Sequence, residues 1–138
     1  MADYKEMAHR WFSEVVNEGN LDAVDEICSP DFVDHDPLPG TSGDLAGLKE
    51  GVQEIRAAFP DIQAAAEDIL VEGDRLAVRS TMQATHEGDF LGIPASGKKI
   101  NVANYDFVRF EGDKCVEHWG VIDSAALMEQ IGAVPAEA

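Results

Sequence analysis

The apolar positions of the first sixty residues recur with a helical period. Met7, Trp11 and Val15, with Ala8, Phe12 and Val16 beside them, step by four residues behind an Asp3/Glu6 capping box, and Gly19 can close the helix they form. Asn20 can cap a short second helix carrying Leu21, Val24, Ile27 and Cys28, which Pro30 stops. A polar, proline-rich stretch runs from Asp34 to Gly43. Leu45, Leu48, Val52, Ile55 and Phe59 then fall at steps of 3, 4, 3 and 4, the stripe of a third helix ended by Pro60. Gly40-Thr41-Ser42-Gly43 reads as loop and N-cap, because no Gly-Lys-Ser/Thr follows to make a phosphate cradle.

After Pro60 the period changes to two, with matching turn signals at Glu72-Gly73-Asp74-Arg75 and Glu111-Gly112-Asp113-Lys114. Glycine at the first turn position suits a type II′ turn, so the chain predicts two hairpins. Helices first and antiparallel strands after them predict one α+β domain over residues 1–138, its helices on one face of the sheet.

A two-residue turn at Gly112-Asp113 fixes which residues face each other. In that register Phe110, Val108, Asp106, Asn104 and Val102 oppose Cys115, Glu117, Trp119, Val121 and Asp123 on one face, while Phe107, His118, Ala103 and Ile122 take the other. The first face is apolar near the turn and polar beyond it, the pattern of a pocket with convergent polar groups. On the preceding strand Leu76, Val78, Met82 and Ala84 alternate with polar residues, and the apolar phase aims His86 inward. The Gly73-Asp74 turn sets Asp68 opposite Arg79 as a surface ion pair.

Charge narrows the partners. Ten Lys+Arg against 27 Asp+Glu give a formal charge of −17, which repels nucleic acid and anionic membrane surfaces. At 45% hydrophobic the chain is too apolar for disorder. Its start has no basic segment followed by an apolar one, and no uncharged run approaches the roughly 18 residues of a membrane span, so it reads as cytoplasmic. Cys28 and Cys115 lack metal-type spacing and read as small core residues, with no disulfide framework implied. His35, His86 and His118 lie far apart without ligand spacing, so no metal is expected. A nucleophilic mechanism finds no elbow motif around Ser80 and no placed partner for either cysteine.

Four segments in order, Phe32-Val33-Asp34-His35-Asp36-Pro37, Phe59-Pro60-Asp61-Ile62, Thr85-His86-Glu87-Gly88-Asp89-Phe90-Leu91-Gly92-Ile93-Pro94 and Gly112-Asp113-Lys114-Cys115-Val116-Glu117-His118-Trp119 followed by Asp123, resemble the SnoaL-like polyketide cyclase (ester cyclase) family. The resemblance implies an NTF2-like cone, in which N-terminal helices pack on a strongly curved, mainly antiparallel sheet that encloses a pocket, usually in a homodimer. It also implies cofactor-free aldol-type closure of a polyketide ester, with an acid/base Asp near the end of the last strand that matches Asp123. Where those cyclases carry polar side chains, including a His, on the neighbouring strand, this chain offers Asn104 and Asp106.

The expectation is therefore an enzyme doing enol chemistry, a cyclisation or an isomerisation, on a small hydrophobic carbonyl compound. A desolvated Asp123 is the acid/base group and Asp106 its catalytic neighbour. His35, His86, Asn104, Trp119 and Phe59 are expected to bind substrate. The competing role for Asp123 is N-cap of the helix starting at Ser124. A non-catalytic binder with the same cavity, and a hydroxylase or hydrolase of the same family, are the alternative functions.

Overall fold

The computed structural model describes residues 3–133. Helix α1 (Tyr4–Arg10) starts at Asp3, whose carboxylate accepts the Glu6 N–H at 3.1 Å. It runs on into a wider, π-helical stretch, Trp11–Asn17, that buries Phe12 and Val15. A stripe at i, i+4 does not register that wider winding. Asn20 caps α2 (Leu21–Ile27) through its side chain, as expected.

Strand β1 (Cys28–Asp34) follows α2 at once. The sequence reading missed it and placed Cys28 on the helix. Only Cys28 and Phe32 of this strand are buried, and Pro30 sits inside it, which an edge strand tolerates. It therefore carries no alternating signature. Helix α3 (Leu45–Ala58) is capped by Asp44, which accepts the Gly47 N–H at 2.9 Å, so the cap lies just past the Gly40–Gly43 loop.

Strands β2 (Gln63–Glu72), β3 (Arg75–Thr85), β4 (Lys99–Glu111) and β5 (Lys114–Ile122) form an antiparallel meander, and β1 joins β5 in parallel. The order is β1-β5-β4-β3-β2, an α+β fold with helices packed on a mainly antiparallel sheet. Gly73 and Gly112 both have φ +60° while Asp74 and Asp113 keep negative φ, the signature of the expected type II′ turns. Asp68 faces Arg79 and pairs with it at 2.6 Å. Helix α4 (Ser124–Gln130) is the last element among the described residues. No helix among the described residues is long and apolar enough to cross a membrane.

The β4–β5 register departs from the expectation. Phe110 faces Cys115, but Arg109 faces Glu117, so Val116 is an extra residue in β5. This β-bulge reverses the facing of every later β5 side chain. His118, Gly120 and Ile122 turn toward the helices with Val108, Asp106 and Asn104, and Trp119 and Val121 turn outward with Phe107 and Tyr105.

The helices are tied to the sheet by polar clamps as well as by packing. Asn17 donates from its amide to the Ala64 carbonyl at 2.9 Å and accepts the Ala64 N–H at 2.7 Å, closing the exposed edge of β2. The Arg56 guanidinium donates to the Val16 and Asn17 carbonyls at 2.7 Å each, satisfying the end of the π-helical stretch. Because Asn17→Ala strips two partners from the buried Ala64 backbone, it is expected to cost about 2 kcal/mol in urea unfolding with an unchanged m-value.

Candidate active site

The inward face of the sheet and the helices enclose a cavity of about 470 Å³. Its wall is mostly apolar, drawn from Phe12, Ile27, Phe32, Val52, Phe59 and Leu76 among others. Four of its polar residues gather on one part of it. His118, Asp106 and Asn104 come from β4 and β5, and Asp34 from the end of β1.

His118 is held on both ring nitrogens. Nδ1 lies 2.8 Å from Asp34 Oδ1 and Nε2 lies 2.6 Å from Asp106 Oδ1, and the two carboxylates are 7% and 18% exposed. Each contact follows from register, since β1 pairs Asp34 with His118 and the bulge turns His118 to the face of Asp106. Burial of the ring opposes its charge, but the two carboxylate bonds together outweigh burial, and the pKa is pushed up to about 10. At neutral pH the ring is therefore an imidazolium that donates to both carboxylates. Asp106 Oδ2 in turn accepts the Asn104 amide at 3.0 Å.

Gly120 makes room for this arrangement. A Cβ there would stand 2.5 Å from Asp106 Oδ1 and 2.8 Å from His118 Nε2, so any side chain would push apart the shortest bond of the cluster. Its N–H donates to Asp36 at 2.9 Å, which ties the loop after β1 to β5 beside the cavity.

Of the seven residues expected from sequence, Asp106, Asn104 and Phe59 line the cavity. Trp119 is a correction: the bulge puts it on the outer face, stacked on His35 with centroids 4.7 Å apart and edge-on to Phe107. His35 is outside too, bonded to Glu117 at 2.8 Å. His86 is fully buried behind Phe59, with centroids 5.5 Å apart. Its Nδ1 accepts the Ser96 N–H at 3.2 Å, which organises the loop between β3 and β4. Asp123 is exposed, does not line the cavity, and accepts the Ala126 N–H at 3.1 Å as the N-cap of α4. The desolvation argued for it falls away with that position.

Sequence reasoning set His118 aside and did not single out Asp34 or Gly120. Two adjacent apolar residues, Cys115-Val116, before Glu117 are the one local sign of an extra residue in that strand. Among the described residues no group of three or more His, Cys, Asp or Glu is placed to hold a metal ion.

The raised pKa of His118 has a measurable sign. A folded value of about 10 against an ordinary 6.5 contributes stability that is complete below about pH 6.5 and is lost as pH rises through 10. The thermal midpoint of the native chain is expected to fall between those limits more steeply than that of His118→Gln. NMR titration should show the imidazole still protonated at pH 8.

The SnoaL-like polyketide cyclase family model matches residues 6–131. No curated protein matches the chain. Among solved structures, TsrD from Streptomyces laurentii is 25% identical over 95% of this chain and 96% of its own, with a TM-score of 0.87. IdmH from Streptomyces antibioticus, a proposed polyketide cyclase, is 30% identical over 93% and 97%, with a TM-score of 0.81. AclR from Streptomyces galilaeus, a proposed hydroxylase, is 29% identical over 97% and 83%, with a TM-score of 0.84. With the motifs, the α+β cone and the cavity agreeing over nearly its whole length, the chain belongs to the SnoaL-like polyketide cyclase family.

Proposed function

We propose that the protein is a cofactor-free enzyme that enolises a small hydrophobic carbonyl compound and uses the enolate for aldol-type cyclisation or isomerisation. The observation that carries the reading is an imidazolium clamped between two carboxylates in the wall of an apolar cavity. His118 holds its proton across the neutral range, so it does not exchange protons with a substrate. Its work is to fix Asp106, with Asp34 fixing His118 in turn. Asp106 is the carboxylate left to act as base.

In this scheme the carbon next to a substrate carbonyl gives its proton to Asp106. The developing oxyanion accepts a hydrogen bond from the Asn104 amide, whose second N–H is not used by Asp106. The enolate carbon then attacks a second carbonyl of the same molecule, and Asp106 returns the proton to the new alkoxide. Return of the proton to a different carbon gives an isomerisation instead. The apolar walls, Phe59 among them, exclude water and hold the hydrophobic body of the ligand.

Exchange of carbon-bound hydrogen for deuterium tests the first step without knowledge of the product. Wild-type protein in D2O with a panel of aromatic β-keto esters and β-diketones should speed wash-in at the acidic carbon. Asp106→Asn should lose about 100-fold or more of that rate, and Asp123→Asn, which keeps the cap, should retain it. Equal exchange by Asp106→Asn sinks the assignment. Binding without exchange favours the carrier reading. The similarity to AclR supports a hydroxylase as second reading, and incorporation of oxygen from labelled O2 into the product distinguishes it.

The partner on the sheet's outer face is, in the same reading, a second copy of the chain. Leu70, Val121, Tyr105 and Phe107 are 73%, 64%, 48% and 40% exposed there. They lie in adjacent rows of β2, β4 and β5, too much apolar surface to leave wet. Sedimentation should show a dimer in the wild type and a monomer after Val121→Lys with Leu70→Glu.

A further inference from the structure

Cys28 and Cys115 are far apart in sequence and adjacent in space. Cys28 opens β1, Cys115 lies one residue into β5, and the two are direct partners in the parallel ladder. Both are free, both are buried, at 3% and 5% exposure, and both reach the wall of the cavity. Neighbouring strands stand about 4.8 Å apart, within the Cα span that a disulfide bridges. The ladder shifts register between Cys28 and Val33, so the backbone around Cys28 is not pinned by a continuous run of strand bonds.

The two thiols also differ. Each thiol acts on the other across the ladder, pulling Cys115 below its ordinary value and pushing Cys28 above it. Cys115 is thus the better nucleophile and Cys28 the resolving thiol.

We propose that Cys28 and Cys115 form a reversible cross-strand disulfide, closed by a hydroperoxide small enough to enter the cavity and reopened by a low-molecular-weight thiol. Cys115 sulfur attacks the outer peroxide oxygen. An S–O bond forms, the O–O bond breaks, and the alkoxide leaves as alcohol with the thiol proton. Cys28 sulfur then attacks the sulfenic acid, the S–S bond forms, and hydroxide departs as water with the Cys28 proton. Two electrons pass from the sulfurs to the peroxide. Two equivalents of thiol return them by exchange through a mixed disulfide.

The product ties β1 to β5 at the end opposite the Asp34–His118 pair of the same two strands. It closes a long loop of chain and should raise the thermal midpoint until reductant is added. The inference does not depend on the enol chemistry.

The test uses the full chain, which has no other cysteine. Wild-type protein is treated with tert-butyl hydroperoxide, denatured, and assayed for thiols and intact mass. The expected result is loss of both thiols, a monomeric mass lower by two hydrogens, a raised midpoint, and reversal of all three by dithiothreitol. Both thiols surviving, a mass higher by oxygen atoms, or disulfide-linked pairs of chains would each overturn the proposal. Cys28→Ser should stop at the oxygenated Cys115 instead, and a Cys28→Ser chain that loses its thiol without gaining oxygen would also count against it.

Discussion

One extra residue in one strand decides what this cavity can do. Without the bulge at Val116, β5 would present Glu117, Trp119 and Val121 to the helices and turn His118 to the outer face. With it, an imidazole enters an apolar pocket, and burying it is unfavourable unless carboxylates meet it. Asp106 comes from across the antiparallel ladder and Asp34 from across the parallel one. The bulge, the two ladders and the glycine opposite Asp106 are therefore one arrangement. Gly120 is small because the Asp106–His118 bond occupies the space a side chain would need.

The cluster also resolves a tension set by composition. In a chain of formal charge −17, two carboxylates brought together in an apolar wall would repel each other and favour protonation. An imidazolium between them offsets that repulsion and keeps its own charge across the neutral range. Asp34 and Asp106 both face that one ring, at 2.8 and 2.6 Å. An Asp at the position of Asp123 has none of this support. It faces water and spends its carboxylate on the α4 N-terminus.

The sequence made the helices and hairpins legible because each rests on local physics. The caps at Asp3 and Asn20, the stripe from Leu45 to Phe59, the two Gly-Asp turns and the Asp68–Arg79 pair depend on neighbours a few residues away or on the count from a tight turn. The family motifs carried the cone. What escaped depends on non-local pairing. Strand β1 is an edge strand with two buried residues and a proline, and it is a strand because β5 lies beside it. The bulge leaves alternation almost intact and still reverses the far half of β5, so an argument by register placed Trp119 inside and His118 outside. Asn104 and Asp106 face the cavity as expected because β4 pairs with β3 without interruption, and Phe59 lines it as the C-cap of α3.

The same parallel pairing that escaped the sequence joins the two chemically distinct parts of the cavity. At one end of the β1–β5 ladder Asp34 meets His118, and at the other Cys28 meets Cys115. Between them β1 loses register, so the two contacts hold an otherwise loosely paired strand at its ends. At the far end of β1, Val33 pairs with Glu117 and Asp34 with His118, so the cysteine pair and a carboxylate partner of the imidazole are carried by one strand. Two side-chain pairs that look unrelated in sequence are thus both placed by the pairing of a single edge strand.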